Sequence, residues 1–252
     1  MILKDLQIGY KTSGPLGPLH NARISKGKFT VVLGQNGIGK SSFIRTLSGL
    51  QEPLSGTVEI DDKNIDSIPL RERSQHIGIV LTEKIQVTNY TVREYVGLGR
   101  YPYTNWVNKF SESDWAIIDK AIQETGSQHL ANRRVSELSD GEQQKVQIAK
   151  VLAQETPIII LDEPTAHLDI HHKIQLFKIL KKQVSDHNKT VLMASHEVNL
   201  SLKLSDQMIL LIEDQAYYGT AQELVEQNKI QKLFPKELVK YDSNLGQFIL
   251  VN

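Results

Sequence analysis

An α/β fold built on a mainly parallel, buried sheet is the class this sequence predicts, and three observations carry it. Short β-branched runs recur at residues 2–8, 29–33, 56–60, 77–81, 158–161, 190–194 and 207–212. Helical patterns stand between most of them, at 40–49, 140–154, 170–187 and 198–204. The runs IIIL (158–161) and MILLI (208–212) are apolar throughout, as strands covered on both faces are. Such strand–helix alternation builds parallel sheets with crossover helices.

Each element has its own reason. ILKDLQI opens the chain as a strand, without the basic-then-apolar layout of a signal peptide. FTVVL (29–33) runs into a glycine-rich loop and then the helical SSFIRTLSGL. GTVEI (56–60) and IGIVL (77–81) are the next extended runs. From about 83 to 135 the rhythm breaks. Two helical candidates, 91–98 and 112–125, are joined there by the polar, aromatic GRYPYTNWVNKF. This interval reads as the start of a helical insert that ends with the helix after Ser139. Beyond Thr220 come a short helix, 222–227, and a closing strand near 248–251.

Composition narrows the function classes. With 252 residues, 40% hydrophobic and 23% charged, the chain suits one large globular domain, or a core with a smaller insert. Lys+Arg and Asp+Glu balance at 29 each without a long basic run, so nucleic acid is not an expected partner. The apolar runs are far too short to cross a bilayer. Absence of cysteine excludes disulfides and thiolate chemistry and fits a cytoplasmic protein.

GQNGIGKSS matches G-x-x-x-x-G-K-[ST] between a strand and a helix, the context a phosphate-binding loop needs. The candidate ligands are the backbone and side chains of Gly34, Gln35, Asn36, Gly37, Gly39, Lys40, Ser41 and Ser42. Lys40 would reach the β- and γ-phosphates of ATP, and the Ser41 hydroxyl would help hold Mg²⁺. PIIILDEP delivers two carboxylates at a strand end: Asp162, placed to orient Mg²⁺, and Glu163, placed to polarise an attacking water. His196, after the strand TVLMAS, belongs to the same sheet and could donate to the γ-phosphate. LSDGE is a second anion-binding turn: Ser139 and Gly141 open a helix whose first N–H groups lack partners. His167, His171 and His172 invite a metal site, but His167 precedes the helix and no third ligand has a sensible spacing. Lys178, Lys181 and Lys182 read as a solvated helix face.

Taken together, the phosphate loop, LSDGE, LDEP and the later histidine resemble the nucleotide-binding subunit of ABC transporters, over essentially the whole chain. LSDGEQQ is similar to the family signature LSGGQ, with Asp140 for a glycine and Glu142 for a glutamine. The resemblance implies a P-loop NTPase core of residues 1–82 and 155–220, with an N-terminal antiparallel β portion. It also implies a helical subdomain insert, 83–154, carrying the signature turn, and a C-terminal tail, 221–252. Two copies would pair head to tail, Ser139 and Gly141 of one capping the ATP held by Lys40 of the other, with Glu142 pointing aside. Tyr10 would stack on adenine, and the TAHLD loop ending at Asp169 would cross the dimer interface. At the position of the family's metal-approaching glutamine stands Thr82, followed by Glu83; either could serve Mg²⁺, Thr82 through a bridging water.

TVREYVGLGRYPYTNW is similar to a segment of importers for iron–siderophore complexes, haem and cobalamin. That implies transmembrane permease partners, an indirect substrate-binding protein, and a place on the cytoplasmic side of the plasma membrane. Tyr95, Tyr101, Tyr103 and Trp106 would form a docking surface or pack the insert's own core. The competing readings are an ABC-type ATPase acting on nucleic acid or ribosomes, and a P-loop kinase, which leaves LSDGE unexplained.

Overall fold

The chain opens with β1 (Ile2–Gln7), a small hairpin of β2 (Gly9–Tyr10) and β3 (Gly14–Pro15), and β4 (His20–Arg23). β5 (Phe29–Gly34) enters the core; β6 (Ser55–Ile60) and β7 (Lys63–Asn64) return to the edge. The structure is a computed structural model that describes all residues except 84, 86–88, 105–108, 167, 235–237 and 252. β4, β1, β6 and β7 pair in that order as an antiparallel sheet. The second sheet adds β8 (Ile77–Val80), β9 (Ile158–Asp162), β10 (Thr190–Ala194), β11 (Gln207–Ile212) and β12 (Gln215–Gly219). Its order is β12-β11-β5-β10-β9-β8, parallel except for β12 against β11.

Side-chain alternation along those parallel strands makes two cores. Phe29, Val31 and Leu33 of β5, Ile159 and Leu161 of β9, and Val191 and Met193 of β10 face one side. There they meet Val146, Ala149 and Val151 of α5 (Asp140–Ala153) and Phe177 and Leu180 of α6 (Ile170–His187), the fifth and sixth helices. Val32, Ile160, Leu192 and Ile209 face the other side. They are covered by Phe43, Ile44 and Leu47 of α1 (Lys40–Leu47) and by Leu3, Leu6 and Val58 of the antiparallel sheet. Each fully buried side chain of this size is worth about 1.5–3 kcal/mol, which is why residues 158–161 carry no polar alternation.

Between α1 and α5 lie α2 (Leu70–His76), α3 (Val92–Gly97) and α4 (Glu112–Glu124); α7 (Val198–Leu204) and α8 (Ala221–Glu226) follow α6. A hairpin of β13 (Val239–Asp242) and β14 (Gln247–Leu250) closes the chain. Helices α3, α4, α5 and α8 start on Ser or Thr followed three residues later by Glu or Asp. In each, both halves of the capping box are made, satisfying N–H groups the first turn would leave orphaned.

The GRYPY segment is fastened to the core by Arg100. Its guanidinium reaches Asp114 and Glu155 at 2.9 Å each and the Ala153 carbonyl at 3.0 Å. Gly99 is required beneath it, because a Cβ there would lie 2.2 Å from the Lys150 carbonyl oxygen. Tyr95 is buried in the insert's core rather than on a surface, while Tyr101 and Tyr103 stay exposed. Trp106 lies outside the described residues. No helix among the described residues is long and apolar enough to cross a membrane.

Candidate functional site

All the chemistry-bearing residues of the core sheet sit beyond the carboxyl ends of its strands. The glycine loop follows β5, Asp162 ends β9 with Glu163 just after it, His196 comes two residues past β10, and Thr82 two past β8. Because β10 lies between β5 and β9, His196 and Glu163 converge on the loop. Ligands bind in this crevice of α/β sheets.

Two glycines shape the loop. A Cβ on Gly34 would lie 2.7 Å from the Leu211 carbonyl oxygen and 2.8 Å from Ile38 Cγ2. Gly39 has φ +105°, a conformation side chains rarely adopt, and from it α1 starts. Gln35, Asn36 and Gly37 are exposed at the loop's tip. Lys40 is buried; its Nζ donates to the carbonyls of Gly34 and Gln35 at 3.0 Å each and lies 3.5 Å from Glu163 Oε1. Burial lowers the Lys40 pKa, opposed by Glu163 and Asp162. A triphosphate would offer this ammonium stronger partners than two carbonyls.

Ser41 Oγ donates to Asp162 Oδ1 at 3.0 Å. Burial raises the Asp162 pKa, against the hydroxyl of Ser41. A desolvated carboxylate beside a hydroxyl is a hard-oxygen donor set suited to Mg²⁺, which takes one or two protein oxygens and completes its shell with phosphates and water. Thr82 Oγ1 donates to the backbone carbonyl of Asp162 at 3.1 Å, tying the end of β8 to that of β9. Glu83 makes a different contact: its Oε1 accepts from Arg45 Nη2 at 3.1 Å. Replacing Thr82 by the isosteric valine removes that strand-to-strand bond. Stability in urea is expected to fall by about 1 kcal/mol, with no change in fold by circular dichroism; an unchanged midpoint would show the bond to be idle.

Glu163 is held in the left-handed region at φ 48°, its N–H donating to the Ala194 carbonyl at 3.1 Å. Its Oε1 lies 2.7 Å from His196 Nε2. A non-glycine residue kept in that conformation costs of order 1–3 kcal/mol, and such strain gathers at functional positions. Tyr10, half exposed on the β2–β3 hairpin, has its hydroxyl 3.1 Å from Ser42 Oγ, so its ring stands beside the loop.

Ser139 and Gly141 stand apart from this cluster. Neither hydrogen-bonds to the Lys40 group among the described residues; Ser139 is an exposed N-cap of α5. Glu142 does not point aside, as the sequence suggests. Its Oε2 accepts from both the backbone N–H and the hydroxyl of Ser139, at 2.8 Å each. The signal was present as S-x-x-E before an apolar run. Asp169 caps α6, accepting from the His172 N–H at 2.9 Å. His172 and His171 are engaged by Asp169 and Gln175. His167 lies outside the described residues, and among those described no group of three or more His, Asp or Glu side chains is placed to hold a metal.

Comparison with known proteins gives the family. The ABC transporter family model matches residues 20–166. The achromobactin transport ATP-binding protein of Dickeya dadantii is 33% identical over 92% of this chain and 86% of its own. The ferric enterobactin transport ATP-binding protein of Escherichia coli is 36% identical over 84% of this chain and 78% of its own. Among solved structures, a dimeric bacterial ABC transporter cassette superposes with a TM-score of 0.77 at 26% identity, covering 87% of this chain and 98% of that one. The same cassette is also known in a post-hydrolysis state bound to ADP and Pi. The family match over residues 20–166 and relatives a third identical along most of their length show that the chain belongs to the ABC transporter family as an ATP-binding, ATP-hydrolysing subunit.

Proposed function

We propose that two copies of this chain pair head to tail and power import of a metal chelate, a ferric siderophore first among the candidates. The names of its relatives support the cargo class. Gly141 carries the pairing. The nearest atoms to a Cβ there, on His172 and Leu168, lie 3.7 Å away, ordinary contacts, so nothing inside the subunit requires glycine. A helical glycine costs up to about 1 kcal/mol against alanine, and is tolerable where another molecule's phosphate must approach the backbone.

In this reading the N–H groups of 34–42 cradle ATP, Lys40 holds the β- and γ-phosphates, and Tyr10 stacks on the base. Ser41 and Asp162 hold Mg²⁺, which neutralises phosphate charge when bound. Thr82, bonded to the Asp162 carbonyl, keeps that carboxylate's strand end in register. Glu163 accepts the proton of the attacking water. His196, 2.7 Å away, fixes its carboxylate and faces the γ-phosphate. Ser139 and Gly141 close the site from the second copy.

The permease would dock beside the insert, where Leu70, Tyr101 and Tyr103 are exposed. α2 and the GRYPY segment are joined there by Arg71 Nε and Gln75 Nε2, both donating to the Pro102 carbonyl. Attachment through the permease puts the chain on the cytoplasmic side of the membrane, a substrate-binding protein delivering cargo outside. In cells carrying Lys40→Ala, uptake of radiolabelled ferric siderophore should fall to the level of a deletion strain. Unchanged uptake of every iron and cobalamin chelate would reject the cargo class.

A further inference from the structure

The signature serine is already engaged. Ser139 has two donors, its backbone N–H and its hydroxyl, and both end on Glu142 Oε2 at 2.8 Å. The one hydroxyl proton cannot serve Glu142 and a phosphate together. A carboxylate seated there also repels the γ-phosphate that must take its place. The other oxygen of Glu142 faces Arg133, Nη1 to Oε1 at 3.8 Å. Arg133 is fixed in turn by Nη2 donating to the Glu137 carbonyl at 2.7 Å. Hydrogen bonds from Ser139 hold the Glu142 carboxyl below the usual carboxylate range, helped by Arg133 and His129. Glu142 thus has two seats within reach, one on the serine and one on the arginine.

We propose that Glu142 is a positioning residue that occupies Ser139 until ATP on a second copy displaces it onto Arg133, and so sets the ATP concentration at which the two copies close. The inference rests on the reading that Ser139 meets the γ-phosphate held by the partner's loop. Bonds to a charged acceptor are roughly twice as strong as bonds to a neutral one, so the negative charge makes the competition matter. A glutamine at 142 keeps an acceptor oxygen for Ser139, and therefore the cap, while removing the charge.

The test measures dimer fraction against ATP concentration by sedimentation, in full-length Glu163→Gln protein to suppress turnover. Adding Glu142→Gln should lower the ATP midpoint about tenfold and leave the melting temperature within a few degrees. Arg133→Gln should raise the midpoint several-fold when Glu142 is present and leave it unmoved when position 142 is Gln. A purely structural cap predicts no such dependence. Ser139→Ala tests the underlying reading, because it should abolish closure. If Ser139→Ala abolishes closure but Glu142→Gln leaves the midpoint unchanged or raises it, the competition is wrong and the head-to-tail site stands. If Ser139→Ala closes like its parent, or the parent stays monomeric at every ATP concentration, the reading itself falls and the inference with it.

Discussion

Glu163→Gln is expected to bind ATP as tightly as the parent or tighter, while hydrolysis falls by about a thousandfold, near the middle of the range for losing a general base. That factor corresponds to about 4 kcal/mol of barrier. The geometry explains why the two effects separate. Glutamine is isosteric, so the left-handed backbone at 163 and the bond from its N–H to the Ala194 carbonyl stay as they are. Its amide oxygen still accepts from His196, but it cannot take a proton from water. Lys40 loses the carboxylate 3.5 Å away and keeps only two carbonyl partners, so an incoming triphosphate competes with less. ATP should consequently hold two copies together as a long-lived dimer, visible by size-exclusion chromatography at saturating ATP. Phosphate release at the parental rate would remove Glu163 from the reaction and leave His196 as the base to examine.

The strands that matter most were legible because burial on both faces leaves a plain apolar record. Residues 158–161, 190–194 and 207–212 are such records, and β9, β10 and β11 occupy them within one residue. The elements with no forecast are those with little to bury. β4 reads HNAR and buries only His20; α2 reads LRERSQH and buries no residue fully. β12, QAYYG, is a half-exposed edge strand whose tyrosines alternate with nothing strongly apolar.

The site shows the same division. Motif spacing put Lys40 and Ser41 at the start of the helix after the glycine loop and Asp162 and Glu163 at a strand end, and their mutual contacts need only the parallel order of β5, β10 and β9. Side-chain aim was another matter. Glu83 prefers Arg45, and Glu142 prefers the serine three residues back, because a nearby donor wins over a distant ligand. Tyr95 is buried because its helix α3 packs against both α4 and α5, a tertiary fact that the GRYPY motif does not encode.

His20 supplies an acid switch in stability beneath the nucleotide loop. It is buried against Phe43 of α1, ring centroids 4.8 Å apart, and its Nδ1 lies 2.6 Å from the Tyr218 hydroxyl. Nε2 has no hydrogen-bond partner, so the pocket offers the imidazolium's second proton nothing. Burial accordingly lowers the His20 pKa from 6.5 to about 4. In the unfolded chain the ring takes up its proton near 6.5. In the folded chain it waits until about 4, so protons favour unfolding throughout that window. The contribution is complete above pH 6.5, falls as pH drops, and by pH 4 amounts to a loss of about 3 kcal/mol at 1.36 kcal/mol per unit. Urea titrations from pH 7 to 4.5 should show wild-type stability falling more steeply than that of His20→Gln. The excess slope should approach 1.36 kcal/mol per pH unit in the middle of the window. Parallel curves for the two proteins would mean that the ring takes up its proton as readily in the fold as in the unfolded chain. Carboxylate titration is common to both proteins and cancels in the comparison. Phe43 lies on the helix that Lys40 begins, so an acid-loosened His20 should also weaken ATP binding over the same pH range, and His20→Gln should spare it.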